Sequence, residues 1–146
     1  MLAAILVAIL LASCGSRPGV TVTIEGNEVP KVLSSTTEGT RCSTEHGDAF
    51  PQNVPLTTVH GPKPPALHFD AGQTATEIRG WIYDDDSPSS SGLPIEEFTL
   101  PGRSGTYEPR SIVAGRTYSV TVNVRWSFLF TQGEETHLFR VRVGPR

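Results

Sequence analysis

Asp84-Asp85-Asp86, with Glu96-Glu97 ten residues further on, is the densest run of carboxylates in the chain. Carboxylate oxygens in a loop are what a calcium ion takes as ligands, so Asp84, Asp85 and Asp86 are the metal candidates. Calcium loops set their ligands at alternate positions around a sharp glycine turn, whereas these three aspartates are consecutive and run into Pro88 and serines. That spacing favours a solvated acidic loop over a metal site. His46, His60, His68 and His137 stand at none of the short spacings that build zinc or copper sites. Thr44-Glu45-His46-Gly47-Asp48 groups polar residues of catalytic type, yet no Gly-x-Ser-x-Gly elbow accompanies it, and Gly102-Arg103-Ser104-Gly105 does not supply one. Without a nucleophile beside a base, catalysis is not expected, and no cofactor is implied by these residues.

Arg79, Trp81 and Tyr83 are the candidates for ligand contact. On a strand they share one face, while Ile78, Gly80 and Ile82 share the other. Two packings are open. Trp81 and Tyr83 could be presented to a ligand, a sugar ring stacking on the indole above all, or Trp81 could point into a core and leave the isoleucines at an edge. The second is the commoner fate of a tryptophan on a central strand and is the one expected here.

The elements that carry these residues are strands. The chain is rich in Gly, Pro, Ser, Thr and Val and poor in long helix formers, which favours short strands joined by turns. Residues 20–24 alternate valine or isoleucine with threonine, residues 25–28 read as a turn, and residues 29–33 as a returning strand. From 34 to 65 no period is visible, and mostly irregular connection is expected, with one short strand near Cys42 at most. Strands are expected again at 66–69, 76–83, 95–100 and 105–110. The strongest signal follows. Tyr118, Val120, Val122, Val124, Trp126, Phe128 and Phe130 alternate with Thr117, Ser119, Thr121, Asn123, Arg125, Ser127 and Leu129, a long strand with one buried face. Thr131-Gln132-Gly133-Glu134 is read as its turn, and residues 138–143 as the strand that returns. The aromatic end of this hairpin, Phe128 to Phe130, is a candidate for dipping into a membrane or a partner groove.

Ile112-Val113-Ala114-Gly115-Arg116-Thr117-Tyr118 resembles the turn before the penultimate strand of immunoglobulin and fibronectin type III domains. In that family a tyrosine after the turn hydrogen-bonds back across the corner, so Tyr118 is expected to play this structural role. The resemblance implies an all-β, immunoglobulin or fibronectin type III-like sandwich. The Cys-Trp-Cys signature of antibody domains is absent.

Leu11-Ala12-Ser13-Cys14 closes an apolar run too short to span a bilayer and resembles the lipobox of bacterial lipoproteins. No Lys or Arg precedes it. Residues around Gly39-Thr40-Arg41-Cys42 add a fainter likeness to small lipoproteins that end in a similar hairpin. The resemblance implies a signal peptide over 1–13, lipidation of Cys14, and a tether over 14–19. Five residues of it, at about 3.3–3.6 Å each, reach less than ~20 Å. The domain, 20–146, would then sit close to its membrane, the cell membrane or the outer membrane. With the Cys14 sulfur in a thioether, Cys42 has no disulfide partner among the two cysteines. It is then expected to be a small buried hydrophobe.

A net charge of −3, with arginines scattered rather than clustered, gives no field for nucleic acid. The expectation is a lipid-anchored extracytoplasmic lipoprotein, non-catalytic, binding an envelope protein or glycan. The alternatives are a carbohydrate or cell-wall module, and a small hydrolase or metal-binding envelope protein.

Overall fold

The computed structural model describes residues 19–39, 53–61, 63–86, 92–128 and 131–144. Cys14, Cys42, the 44–48 segment, the 1–13 and 14–18 stretches, and Leu129 and Phe130 lie outside these residues. The described chain forms ten strands: β1 Thr21–Ile24, β2 Asn27–Glu28, β3 Val32–Gly39, β4 Leu56–His60, β5 Leu67–Asp70, β6 Ala75–Asp84, β7 Glu96–Pro101, β8 Ser104–Tyr107, β9 Thr117–Phe128 and β10 Thr131–Gly144. They make two packed sheets, one ordered β2-β1-β5-β8 and the other β3-β10-β9-β6-β7 with β4 also beside β10. The expected all-β sandwich is therefore the fold. All pairings are antiparallel except that of β4 with β10.

Alternation explains which face each strand buries. Val22, Ile24, Leu67 and Phe69 of the smaller sheet meet Ile78, Ile82, Val120, Val122, Val124, Phe139 and Val141 of the larger, each almost wholly out of water. Full burial of one such side chain stabilises the fold by about 1.5–3 kcal/mol. Phe98 joins the two layers. Its ring stacks on Tyr107 at 4.1 Å and tilts against Phe69 at 5.4 Å. Gly80, its register partner on β6, makes this possible, because a Cβ there would fall inside the Phe98 ring.

Three expectations are corrected. Residues 29–33 do not return as the second strand of an opening hairpin. β1 turns at Glu25 and Gly26, with φ of 52° and 81°, into the two-residue β2, and the chain then crosses to the other sheet as β3. Both turn residues are left-handed, as the tight turn that matches strand twist requires. Residues 34–65, expected to be mostly irregular, contain the rest of β3 and all of β4, which pair with successive halves of β10. Thr131 to Glu134, expected as a turn, are strand: Thr131 pairs with Phe128 and Glu134 with Arg125. Twelve paired positions between β9 and β10 outweigh the local turn chemistry of a Gln-Gly dipeptide.

Tyr118 sits just after the corner that leads into β9. Gly115 takes a φ of 88° and donates its N–H to the Val143 carbonyl at 2.7 Å, and the Tyr118 hydroxyl accepts the Val113 N–H at 2.9 Å. The tyrosine ring is buried and its polar tip is satisfied within the corner, while the Gly115–Val143 bond ties the corner to the last strand.

Candidate functional site

The outward face of the larger sheet carries the candidate residues. Pairing aligns Glu77, Arg125 and Glu134 in one row, Arg79, Asn123 and Thr136 in the next, then Glu97, Trp81, Thr121 and Leu138, then Tyr83, Ser119 and Arg140. Trp81 and Tyr83 are half-buried on this outer face, while Ile78 and Ile82 are fully buried beneath it. The expectation that Trp81 enters the core is thus corrected. The reason lies one residue away. Gly80 leaves the inner face open to the Phe98 ring, and the isoleucines fill the rest, so the inner volume on β6 is taken and the indole is turned outward.

The face divides into two halves by how its polar groups are used. At one end charged and polar groups are cross-linked, with the buried Arg79 Nε ion-paired to Glu77 but making no hydrogen bond among the described residues. Glu77 accepts from Arg125 at 3.4 Å, and its carboxylate lies 2.7 Å from the Arg79 Nε. Arg125 Nε donates to Glu134 at 2.7 Å, and Asn123 Nδ2 to Thr136 at 3.2 Å. Arg79 therefore belongs to a cross-strand ion network. At the other end, neither the Trp81 indole N–H nor the Tyr83 hydroxyl has a hydrogen-bond partner among the described residues. The chain has three tyrosines, and the hydroxyls of the other two are both used, Tyr118 by Val113 and Tyr107 by Glu96. Burial, and then the Glu97 charge, push the Tyr83 phenol above its ordinary pKa, so it stays protonated and able to donate.

Beside Tyr83 a cleft of about 380 Å³ opens between Leu93, Ile95, Asp85 and Arg140. Leu93 and Ile95 are 65 % and 42 % exposed. Arg140 Nε donates to Asp85 Oδ2 at 2.8 Å across it.

The three consecutive aspartates are turned to different partners. Asp84 pairs with Arg116 at 2.7 Å, Asp85 with Arg140, and Asp86 accepts the Thr117 N–H at 2.6 Å while its own N–H donates to Asp84 at 3.1 Å. They fasten the end of β6 and the residues after it to Arg116, to β9 and to β10, and Glu96 lines a different groove from Asp84 and Asp85. Among the described residues no three His, Cys, Asp or Glu side chains gather as a metal ion requires. His60 is exposed, His68 shares a hydrogen bond with Thr106 at 2.7 Å, and His137 is buried 3.3 Å from Glu135.

Glu96 has a role the sequence reading missed. Its carboxylate accepts from the Tyr107 hydroxyl, from the Ser111 hydroxyl and N–H, and from the Arg110 N–H, lining a groove of about 750 Å³. Burial alone would raise its pKa. The hydrogen bonds from Ser111, Tyr107 and the two backbone N–H groups outweigh it and hold the carboxyl below the usual value. The same burial and the same partner push Tyr107 up to about 12. The one signal for this clamp in the sequence was Tyr107 followed by a Pro109-Arg110-Ser111 turn that ends β8.

At the hairpin end Phe128 is 40 % exposed, and Trp126 is buried flat against Gly133, where a Cβ would come within 2.7 Å of the indole. Its Nε1 has no hydrogen-bond partner among the described residues. Comparison of the chain with protein-family models, with curated proteins and with solved structures returns no match.

Proposed function

We propose that this protein is a lipid-anchored, extracytoplasmic binding module with no catalytic role of its own, and that the Trp81–Tyr83 half of the outer sheet face is its recognition surface. One observation carries the reading. Two aromatic side chains stand on the outer sheet face with polar tips unused among the described residues, beside an open cleft, whereas Tyr107 and Tyr118 spend theirs on the fold. An aromatic with an apolar body and a free polar tip is suited to binding. Sheet strands hold it without the ordering cost a loop would add. The lipobox supports the anchor: a diacyl group on Cys14 gives two chains, each adding about 0.8 kcal/mol per buried CH₂ of membrane affinity, enough for stable attachment. The unknown occupant is an envelope component, and the tether places the module within reach of it.

The test uses the full chain in its host. Metabolic labelling with palmitate is expected to mark the wild type and not Cys14→Ser, with membrane fractionation following the label. Envelope material retained by the purified wild type in detergent is expected to be lost with Trp81→Ala while the melting temperature stays within about 2 °C. An unlabelled, soluble wild type sinks the anchor, and undiminished retention by Trp81→Ala sinks the recognition face.

A further inference from the structure

We infer that the cleft beside Tyr83 is a subsite for one neutral sugar ring, with Trp81 stacking the next ring of the same glycan. This rests on the recognition face proposed above and names its ligand. A pyranose ring offers an apolar face of C–H groups and an edge of hydroxyls that each donate and accept. It is therefore recognised by an aromatic wall together with a donor and an acceptor side by side. The cleft supplies all three. Tyr83 forms the wall, and the Arg140–Asp85 pair, joined at 2.8 Å, forms the floor.

Only one guanidinium N–H and one carboxylate oxygen are consumed in that pair. The remaining N–H groups of Arg140 and the second oxygen of Asp85 have no hydrogen-bond partner among the described residues. They face the ligand as a fixed donor and acceptor. The Arg140 and Asp85 charges cancel, and Asp84, which also lines the cleft, is paired with Arg116 at 2.7 Å, so the site favours a neutral polyol over an anion or a cation. A volume of about 380 Å³ lies at the small end of ligand pockets, the size of a ring or two rather than of a protein hot-spot surface. Leu93 and Ile95, both exposed at the lip, would close over the ring's apolar edge. Trp81, two residues along the same strand face, sits about 7 Å away, the repeat of a β-strand and within the span of a linked ring.

The experiment is a fluorescence titration of the full chain in detergent, in the Trp126→Phe background that leaves Trp81 as sole reporter. The probes are β-1,4-linked tetrasaccharides of glucose, mannose and N-acetylglucosamine. At least one is expected to shift the emission saturably. Tyr83→Phe, which removes only the hydroxyl, should weaken it about fivefold, and Arg140→Lys about tenfold, with unchanged melting temperatures. Saturable binding indifferent to both variants overturns the placement of the ring. No response to any probe up to 10 mM (about the weakest affinity worth detecting, ~3 kcal/mol), while Trp81→Ala still abolishes envelope retention, overturns the sugar and leaves the recognition face standing. No response together with Trp81-independent retention overturns both.

Discussion

Removing the Glu96 carboxylate tests whether the end of β8 is held by charge. In Glu96→Ala the Tyr107 hydroxyl, the Ser111 hydroxyl and the N–H groups of Arg110 and Ser111 lose their common acceptor. A hydrogen bond to a charged group contributes about 1.5–3 kcal/mol when buried. Glu96 is only half-buried and water can replace part of what is lost, so about 0.5–1 kcal/mol for each of four donors is the appropriate discount. The sum is about 3 kcal/mol. For a domain of this size, at about 4 °C per kcal/mol, the melting temperature should fall by about 12 °C at pH 7. Glu96→Gln keeps one oxygen but turns an amide donor toward the N–H groups, and about 2 kcal/mol is expected.

The pH dependence carries the sign of the argument. The folded carboxyl is held below its ordinary pKa, so its contribution is fully present above the unfolded value of about 4.3 and disappears as pH falls through the folded value. The gap between wild type and Glu96→Gln, measured by thermal denaturation from pH 7 down to pH 2.5, should therefore be constant above about pH 5 and close in acid. Variants melting within 2 °C of wild type at pH 7, or a gap that persists at pH 2.5, would refute the charged clamp.

Tyr107, pushed up to about 12 by burial and then by Glu96, should ionise well above an ordinary tyrosine in a spectrophotometric titration, and Glu96→Gln should lower it. Its contribution is whole below pH 10 and lost as pH rises through 12, so the wild type should lose stability in strong alkali more steeply than Tyr107→Phe. Tyr118→Phe strands the Val113 N–H and should cost about 1 kcal/mol in urea denaturation, with the m-value unchanged. Gly80→Ala drives Phe98 out of its stack on Tyr107 and should cost about 2–3 kcal/mol, whereas an alanine at the open, exposed Gly19 should cost nothing measurable. Trp126→Phe removes a buried donor that has no acceptor among the described residues, and its loss of stability should stay under about 1 kcal/mol despite the smaller ring.

What could be read from the residues and what could not follows from how many neighbours decide each one's position. β9 and the far half of β10 were legible because every second residue is apolar and large, so one face satisfies the core without help from elsewhere. β3 and β4 were not. Val32–Gly39 has two apolar residues in eight, and its register skips at Ser34, whose hydroxyl donates to the Thr136 carbonyl at 3.1 Å. In Leu56–His60 only Val59 is buried. Such strands exist because β10 offers an edge to pair with, and no local pattern encodes that edge. Trp81 shows the same limit at the candidate site. The alternation on β6 divides its residues into two faces correctly, but which face turns inward depends on Phe98, contributed by β7 and able to lie over the strand only because position 80 lacks a Cβ. The order of causes runs from that glycine to the aromatic that crosses it, and from there to the indole on the opposite face. Gly80→Ala should therefore disturb Trp81 fluorescence as well as stability. The core contact of Phe98 and the outward position of Trp81 are two consequences of one missing methyl group.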